Sequence, residues 1–184
     1  VALSAGDSGS ISGTGGDMYM KAGSGENGGL LSLSSGKGVG SVSGNVVIRS
    51  DSSTNDASGT INVFTSKSDV SATGSIDVYT GESGHSVSGN TTISSGGGNE
   101  MSGAVKLVSG YVADGAGKSG ALLFETGAAY YGETGSIYMK VGDGGIETGG
   151  SISLHSGTTT GSTSGFVNIT AGASGVDGGT IFVT

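Results

Sequence analysis

The chain has 184 residues, of which 41 are Gly and 33 are Ser, so about two in five positions carry almost no side chain. Pro, Cys and Trp are absent. These absences exclude a disulfide scaffold and, with no Gly at every third position, a collagen triple helix. No apolar run approaches the roughly 18 residues of a membrane-spanning helix. The net charge of −8 argues against a nucleic-acid partner and an anionic membrane surface.

A repeat of about 15 residues organises the sequence. In every repeat but one, two apolar residues flank a single residue, shortly before a small residue and usually a Gly; the exception has Thr91 as its first member. A disordered Gly/Ser linker would not keep such a register over the whole chain. The pairs are Val1/Leu3, Met18/Met20, Leu31/Leu33, Val46/Ile48, Ile61/Val63, Ile76/Val78, Thr91/Ile93, Val105/Leu107, Leu122/Phe124, Ile137/Met139, Ile152/Leu154, Val167/Ile169 and Ile181/Val183.

We number each repeat from the residue before its first apolar residue. The consensus is x-h-x-h-x-(S/T/A)-G, then six variable residues, then (S/T/G)-G. The alternation of positions 1 to 5 predicts a β-strand with one apolar face, formed by positions 2 and 4. Gly at positions 7 and 15 predicts two corners, where a positive φ or a close chain approach is needed. The small residue at position 9 is expected to lie opposite the strand.

Together these features predict an all-β fold, a parallel β-solenoid (β-helix) of about thirteen coils with a thin two-layer cross-section. One repeat per coil is favoured, and two repeats per coil is the alternative. We expect a single domain over residues 1–184, a segment of a longer repeat protein or filament. The strand edges at Val1, Leu3, Ile181 and Val183 are then candidate end-stacking edges.

Positions 3 and 5 are expected to point outward, and several of them are large and apolar. A flat sheet face of this kind predicts lateral contact with another copy or, as an alternative, with a glycan that stacks on aromatic rings. These columns mix charges with aromatics, which differs from the uniform lattice of an ice-binding face. The candidate lateral contact residues are Tyr19, Phe64, Tyr79, Leu123, Tyr138 and Phe182.

The sequence offers no catalytic, cofactor or metal site. The stretch Asp114–Ser119 ends in Gly-Lys-Ser but has Val112 where a phosphate-binding loop needs Gly. His85 and His155 are the only imidazoles, so a hydrolase triad is unsupported. The acidic residues of the connecting segments occupy no constant position, so we interpret them as solvated charge rather than a calcium site. They are Asp114, Asp143, Glu147 and Asp177.

Asn90-Thr-Thr and Asn168-Ile-Thr are N-glycosylation acceptors, and their use would place the chain outside the cell. The run from Gly150 to Gly175, GSISLHSGTTTGSTSGFVNITAGASG, resembles the Gly/Ser-rich repeats of large secreted or cell-surface proteins. Its repeat length is similar to that of repeat ice-binding β-solenoids. The resemblance implies an extracellular protein of structural, adhesive or ice-binding type.

From the sequence we therefore expect a structural, non-enzymatic extracellular building block of a filament, surface appendage or matrix. Its partner would be itself, through end-to-end and lateral β-solenoid contacts. A monomeric ice-binding or glycan-binding β-solenoid is the alternative. No cofactor, nucleic acid or membrane insertion is expected.

Overall fold

The structure is a computed structural model that describes residues 2–10, 12–113, 117–146 and 148–184. The chain divides into two units, Val1–Thr91 and Thr92–Thr184. Within the described ranges no residue belongs to a helix or a strand. The predicted all-β fold is therefore wrong. Neither a β-solenoid (β-helix) of thirteen two-layer coils nor its variant with two repeats per coil is present.

The physical reason lies in the backbone hydrogen bonds. Parallel strands pair through bonds between one segment and the next. In the described part of the chain, every backbone–backbone bond instead joins two residues of the same repeat. In the described residues, positions 1 to 5 thus make no backbone hydrogen bond to another segment, and their alternating pattern does not form part of a sheet. The bonds, each from N–H to carbonyl oxygen, are Gly13 to Ser10, Gly16 to Gly6, Gly29 to Gly23, Gly44 to Gly36, Gly165 to Gly157 and Gly179 to Gly172.

The 15-residue period survives as a series of bends. The backbone bends at positions 10 and 11, beginning at residues 39, 54, 69, 84 and 99, and again at 130, 145, 160 and 175. Each bend turns the chain between the two glycine positions of a repeat. The repeat is therefore a real structural unit, but it is a loop rather than a coil of a solenoid.

Each loop is closed by what we call its neck, the approach of position 15 to positions 6 and 7. In the first unit, the N–H of Gly44 donates to the carbonyl oxygen of Gly36 at 2.9 Å. A Cβ built on Gly44 would lie 3.3 Å from the Cβ of Ser35 and 3.4 Å from the nitrogen of Gly36. A larger residue at position 15 would thus displace the position-7 backbone, to which its own N–H donates a hydrogen bond. This explains both the Gly at position 15 and the small residue at position 6.

The same approach recurs in the other repeats. A Cβ at position 15 would in each case lie within 4 Å of the position-6 side chain. The further pairs are Gly16/Ala5, Gly29/Ala22, Gly59/Ser50, Gly74/Thr65, Gly89/Thr80, Gly103/Ser95, Gly120/Ser109, Gly135/Thr126, Gly150/Val141, Gly165/Ser156 and Gly179/Ala171.

The two glycine positions have different roles. A Cβ at position 7 would meet nothing within 4 Å, as at Gly36 and Gly157. This openness agrees with the presence of Asp51 and Ser66 at the same position in other repeats. Position 7 therefore needs no glycine for space. Among the described residues, only Gly40 has a positive φ, of 82°, and it lies in a bend rather than at a predicted corner.

The least exposed of the described residues lie at position 6 in the necks and at position 9, and not in the apolar pairs. None of the described residues is buried. The half-buried ones all occupy position 6 or position 9. They are Ala5, Ala22, Gly38, Ser50, Ser68, Thr126 and Val141. The total accessible surface is 18,469 Å², whereas a folded monomer of this size exposes about 7,900 Å² and an unfolded chain about 25,000 Å².

Candidate interaction surface

The apolar pairs of positions 2 and 4 form the largest candidate surface. At position 2, the described apolar side chains are 49–56% exposed, from Ile181 to Val46. Those at position 4 are more exposed still, from 55% at Leu107 to 92% at Val183. Where both residues of a pair are described and apolar, the repeat therefore presents them to solvent with about half their surface or more uncovered.

The residues that the sequence assigned to a lateral contact face are more exposed than their position-2 neighbours. Exposure of these six side chains runs from 76% at Phe64 to 90% at Tyr138. The described residues form no sheet, so these six side chains do not share a sheet face. Four of them lie between the two apolar residues of their repeat, whereas Phe64 and Tyr79 directly follow the pair.

One apolar cleft lies in the second unit. Phe124, from position 4 of one repeat, lines it together with Ile137, Tyr138 and Met139, which are positions 2 to 4 of the next repeat. Here the pairs of two successive repeats meet across an open space of about 420 Å³. Tyr138, predicted to face away from the pairs, shares this cleft with them.

The bends carry exposed apolar side chains that sequence reasoning missed. Val70, Tyr131, Ile146 and Val176 occupy position 11, at the outermost part of the loop, and are 91–101% exposed. The rings of Tyr130 and Tyr131 lie 5.6 Å apart between centroids and are tilted by 58°. An apolar residue at position 11 in four repeats was the available signal, but the pattern of positions 2 and 4 dominated the sequence.

Position 9 has a different role from the one predicted. The Oγ atoms of Ser53, Ser68 and Ser83 each accept a hydrogen bond from the backbone N–H three residues later, at 3.1, 3.2 and 3.0 Å. A hydroxyl at this place supplies a bend N–H with a partner, as Ser commonly does in turns. In another repeat, a Cβ on Gly38 would lie 2.4 Å from the carbonyl oxygen of Ser41. Position 9 is thus small because the bend folds over it, and not because a strand packs on it.

The charged groups form isolated surface pairs. Lys67 pairs with Asp69, and Lys140 pairs with Asp143 at 3.6 Å between Nζ and Oδ2. Both pairs are highly exposed, so each contributes little to stability. In the described residues, no three Asp, Glu or His side chains lie close enough to hold a metal ion. Of the four acidic residues considered as calcium ligands, Asp114 and Glu147 lie outside the described residues. In the Asp114–Ser119 stretch, residues 114–116 lie outside them as well.

The remaining predicted site residues are placed as follows. Asn90 and Asn168 are both exposed, as a modified asparagine must be. Of the predicted end-stacking edges, Val1 lies outside the described residues, whereas Leu3 is 77% exposed. Ile181 and Val183 are also exposed. None of the last three belongs to a strand, so these residues offer apolar side chains rather than strand edges.

The part of the chain that the structure describes contains no helix long and apolar enough to cross a membrane. Comparisons with protein-family models, with curated proteins and with solved structures find no match.

Proposed function

We propose that the chain is a non-enzymatic structural protein that assembles with further copies of itself, outside the cell, into a filament, surface appendage or matrix. The observation that carries this proposal is the exposure of the apolar pairs. The described apolar side chains at position 2 are about half exposed, and no described residue is buried. Burial of such surface is the main favourable term in association.

The amount of surface also favours self-association. The chain exposes about 10,000 Å² more than a folded monomer of its size. A standard protein–protein interface covers about 1,600 Å² in total, so the excess is enough for several interfaces. A second copy is the partner that this argument favours, because it brings the same apolar pairs at the same spacing. Two copies can then match their pairs at offsets of whole repeats.

Such matching leads to open-ended assembly. If one copy is displaced by one or more repeats relative to another, the overhanging pairs stay exposed and can bind a third copy. A contact that does not close on itself builds fibres rather than a dimer. The uniform spacing of first apolar residues from Leu31 to Thr91, and again from Leu122 to Val167, provides two long stretches for this register.

The chain is expected to lose most of its conformational entropy when it associates, and not when the single chain folds. With one hydrogen-bonded neck per loop at most, the isolated chain has few contacts that fix its conformation. Segments of this kind become ordered when they bind, and they lose conformational entropy then. We therefore expect assembly to depend steeply on concentration. The exposed acceptors Asn90 and Asn168 support the extracellular location.

The test compares two triple variants in sedimentation velocity. In the first, Val46→Ser, Ile137→Ser and Val167→Ser remove position-2 side chains that are 52–56% exposed. In the matched control, Val70→Ser, Ile146→Ser and Val176→Ser remove the same residue types from the bends. We expect the first variant to stay monomeric at concentrations where the control assembles like the unchanged chain. Equal assembly of all three proteins would contradict the proposal.

A further inference from the structure

The shortest repeat, residues 17–29, contains the sequence Asn27-Gly28 at the end of its bend. Both residues are exposed to solvent. The bend is tight here, because a Cβ built on Gly25 would lie 3.1 Å from the carbonyl oxygen of Asn27. This segment belongs to none of the apolar pairs, and the proposed assembly gives it no role.

We propose that Asn27 is a site of spontaneous deamidation through a cyclic imide formed with the backbone of Gly28. The Gly28 amide nitrogen loses its proton to hydroxide and attacks Cγ of Asn27, forming a new C–N bond. The bond from Cγ to the side-chain nitrogen breaks, and this nitrogen takes a proton from water and leaves as ammonia. Water then opens the ring at one of its two carbonyls, giving Asp or isoaspartate. No enzyme, metal or oxidant takes part.

The geometry favours this attack in two ways. Gly28 has no side chain, and the space that a Cβ would occupy has nothing within 4 Å, so the nitrogen can approach Cγ without obstruction. Among the described residues, neither the Asn27 side chain nor the Gly28 N–H makes a hydrogen bond. The two reacting groups therefore have no interaction to give up, and water has full access to the ring.

The chain provides its own controls. Of its seven Asn residues, Asn27 alone precedes Gly. Asn55 and Asn99 also lie in bends, but Asp56 and Glu100 follow them. A side chain on the following residue hinders the approach of its nitrogen to Cγ, and a misplacement of about 1 Å can slow a reaction about 100-fold. Asn27 should thus react much faster than asparagines with the same exposure and local shape.

The product would alter the neighbouring neck. Gly29, two residues after Asn27, donates its N–H to the carbonyl oxygen of Gly23 at 2.9 Å. Isoaspartate inserts one additional backbone carbon into this loop, and both products add a negative charge to a chain whose net charge is already −8. Deamidation should therefore open this loop and add to the repulsion between copies.

The experiment follows the full-length chain in mildly alkaline buffer by peptide mapping with mass spectrometry. We expect the peptide with Asn27 to gain about one mass unit at least about tenfold faster than those with Asn55 or Asn99. Gly28→Val should slow this conversion about tenfold or more, and Asn27→Gln should remove it. Conversion of Asn27 at the rate of Asn55, or no effect of Gly28→Val, would overturn the proposal.

Discussion

The N–H of Gly44 donates a hydrogen bond of 2.9 Å to the carbonyl oxygen of Gly36, eight residues earlier in the chain. This bond closes a loop within one repeat and leaves the apolar pair of that repeat outside the loop. Its counterparts in other repeats, such as Gly165 to Gly157, do the same. The small residues thus close a loop within each repeat, whereas the apolar residues stay exposed and can contact another molecule.

The neck bond predicts different effects for the two glycines that form it. Gly165→Val should break the bond, because a Cβ there would lie 3.3 Å from the nitrogen of Gly157. Gly157→Val should preserve it, because a Cβ at Gly157 meets nothing within 4 Å. The temperature coefficient of the residue-165 amide proton in NMR measures the difference. Equal coefficients in the two variants would show that the neck does not depend on space at position 15.

The bend hydroxyls predict a local effect of Ser83→Ala. Its Oγ accepts the N–H of Ser86 at 3.0 Å, so the variant leaves that N–H to water. A net contribution of about 1 kcal/mol or less is expected for one exposed bond of this type. Hydrogen exchange of the Ser86 amide should become faster by up to about fivefold. Ser88→Ala is the control, and an unchanged rate in Ser83→Ala would contradict the assignment.

The apolar cleft predicts that Phe124 contributes more to assembly than Phe166. Phe124 lines the cleft with Ile137, Tyr138 and Met139. Phe166 is 82% exposed and lies outside that cleft. Burial of a side chain of this size contributes about 2 kcal/mol, so Phe124→Ala should weaken association at least about tenfold. Phe166→Ala should have a smaller effect in the same sedimentation assay. Equal losses would show that the cleft has no special role.

The net charge predicts the salt dependence of assembly. With 15 acidic and 7 basic residues, copies repel one another at low ionic strength. The screening length falls from about 30 Å at 0.01 M salt to about 8 Å at 0.15 M, so sodium chloride should promote association over this range. Light scattering during a salt titration measures the effect. Weaker assembly at higher salt would indicate ion pairs between copies instead of apolar contacts.

The sequence predicted the 15-residue period and the small residues at positions 6 and 15. It did not predict the loops that these repeats form. Gly at position 15 and the small residue at position 6 were recognisable because steric demands act locally, as at Gly44 and Ser35. Alternation at positions 2 and 4 specifies which side chains share a side, as for Ile76 and Val78. It does not specify a pairing partner, because backbone pairing depends on groups distant in the chain. The predicted strands therefore have no counterpart in the part of the chain that the structure describes.

The candidate surface was predictable only in part. The exposed Tyr138 and Phe64 were identified as contact residues because they are large apolar residues at the outward positions 3 and 5. The bend residues Tyr131 and Ile146 were missed, because they vary from repeat to repeat and follow no simple alternation. The hydroxyl partner role of Ser83 was missed for a related reason, since small size and hydrogen bonding both favour Ser at position 9.

Self-association of the unchanged chain is the central claim, and sedimentation velocity over a wide concentration series tests it most directly. We predict a monomer at the lowest concentrations and a steep appearance of larger, polydisperse species as concentration rises, without a limiting size. A single monomer boundary over the whole series, at physiological salt, would contradict the claim.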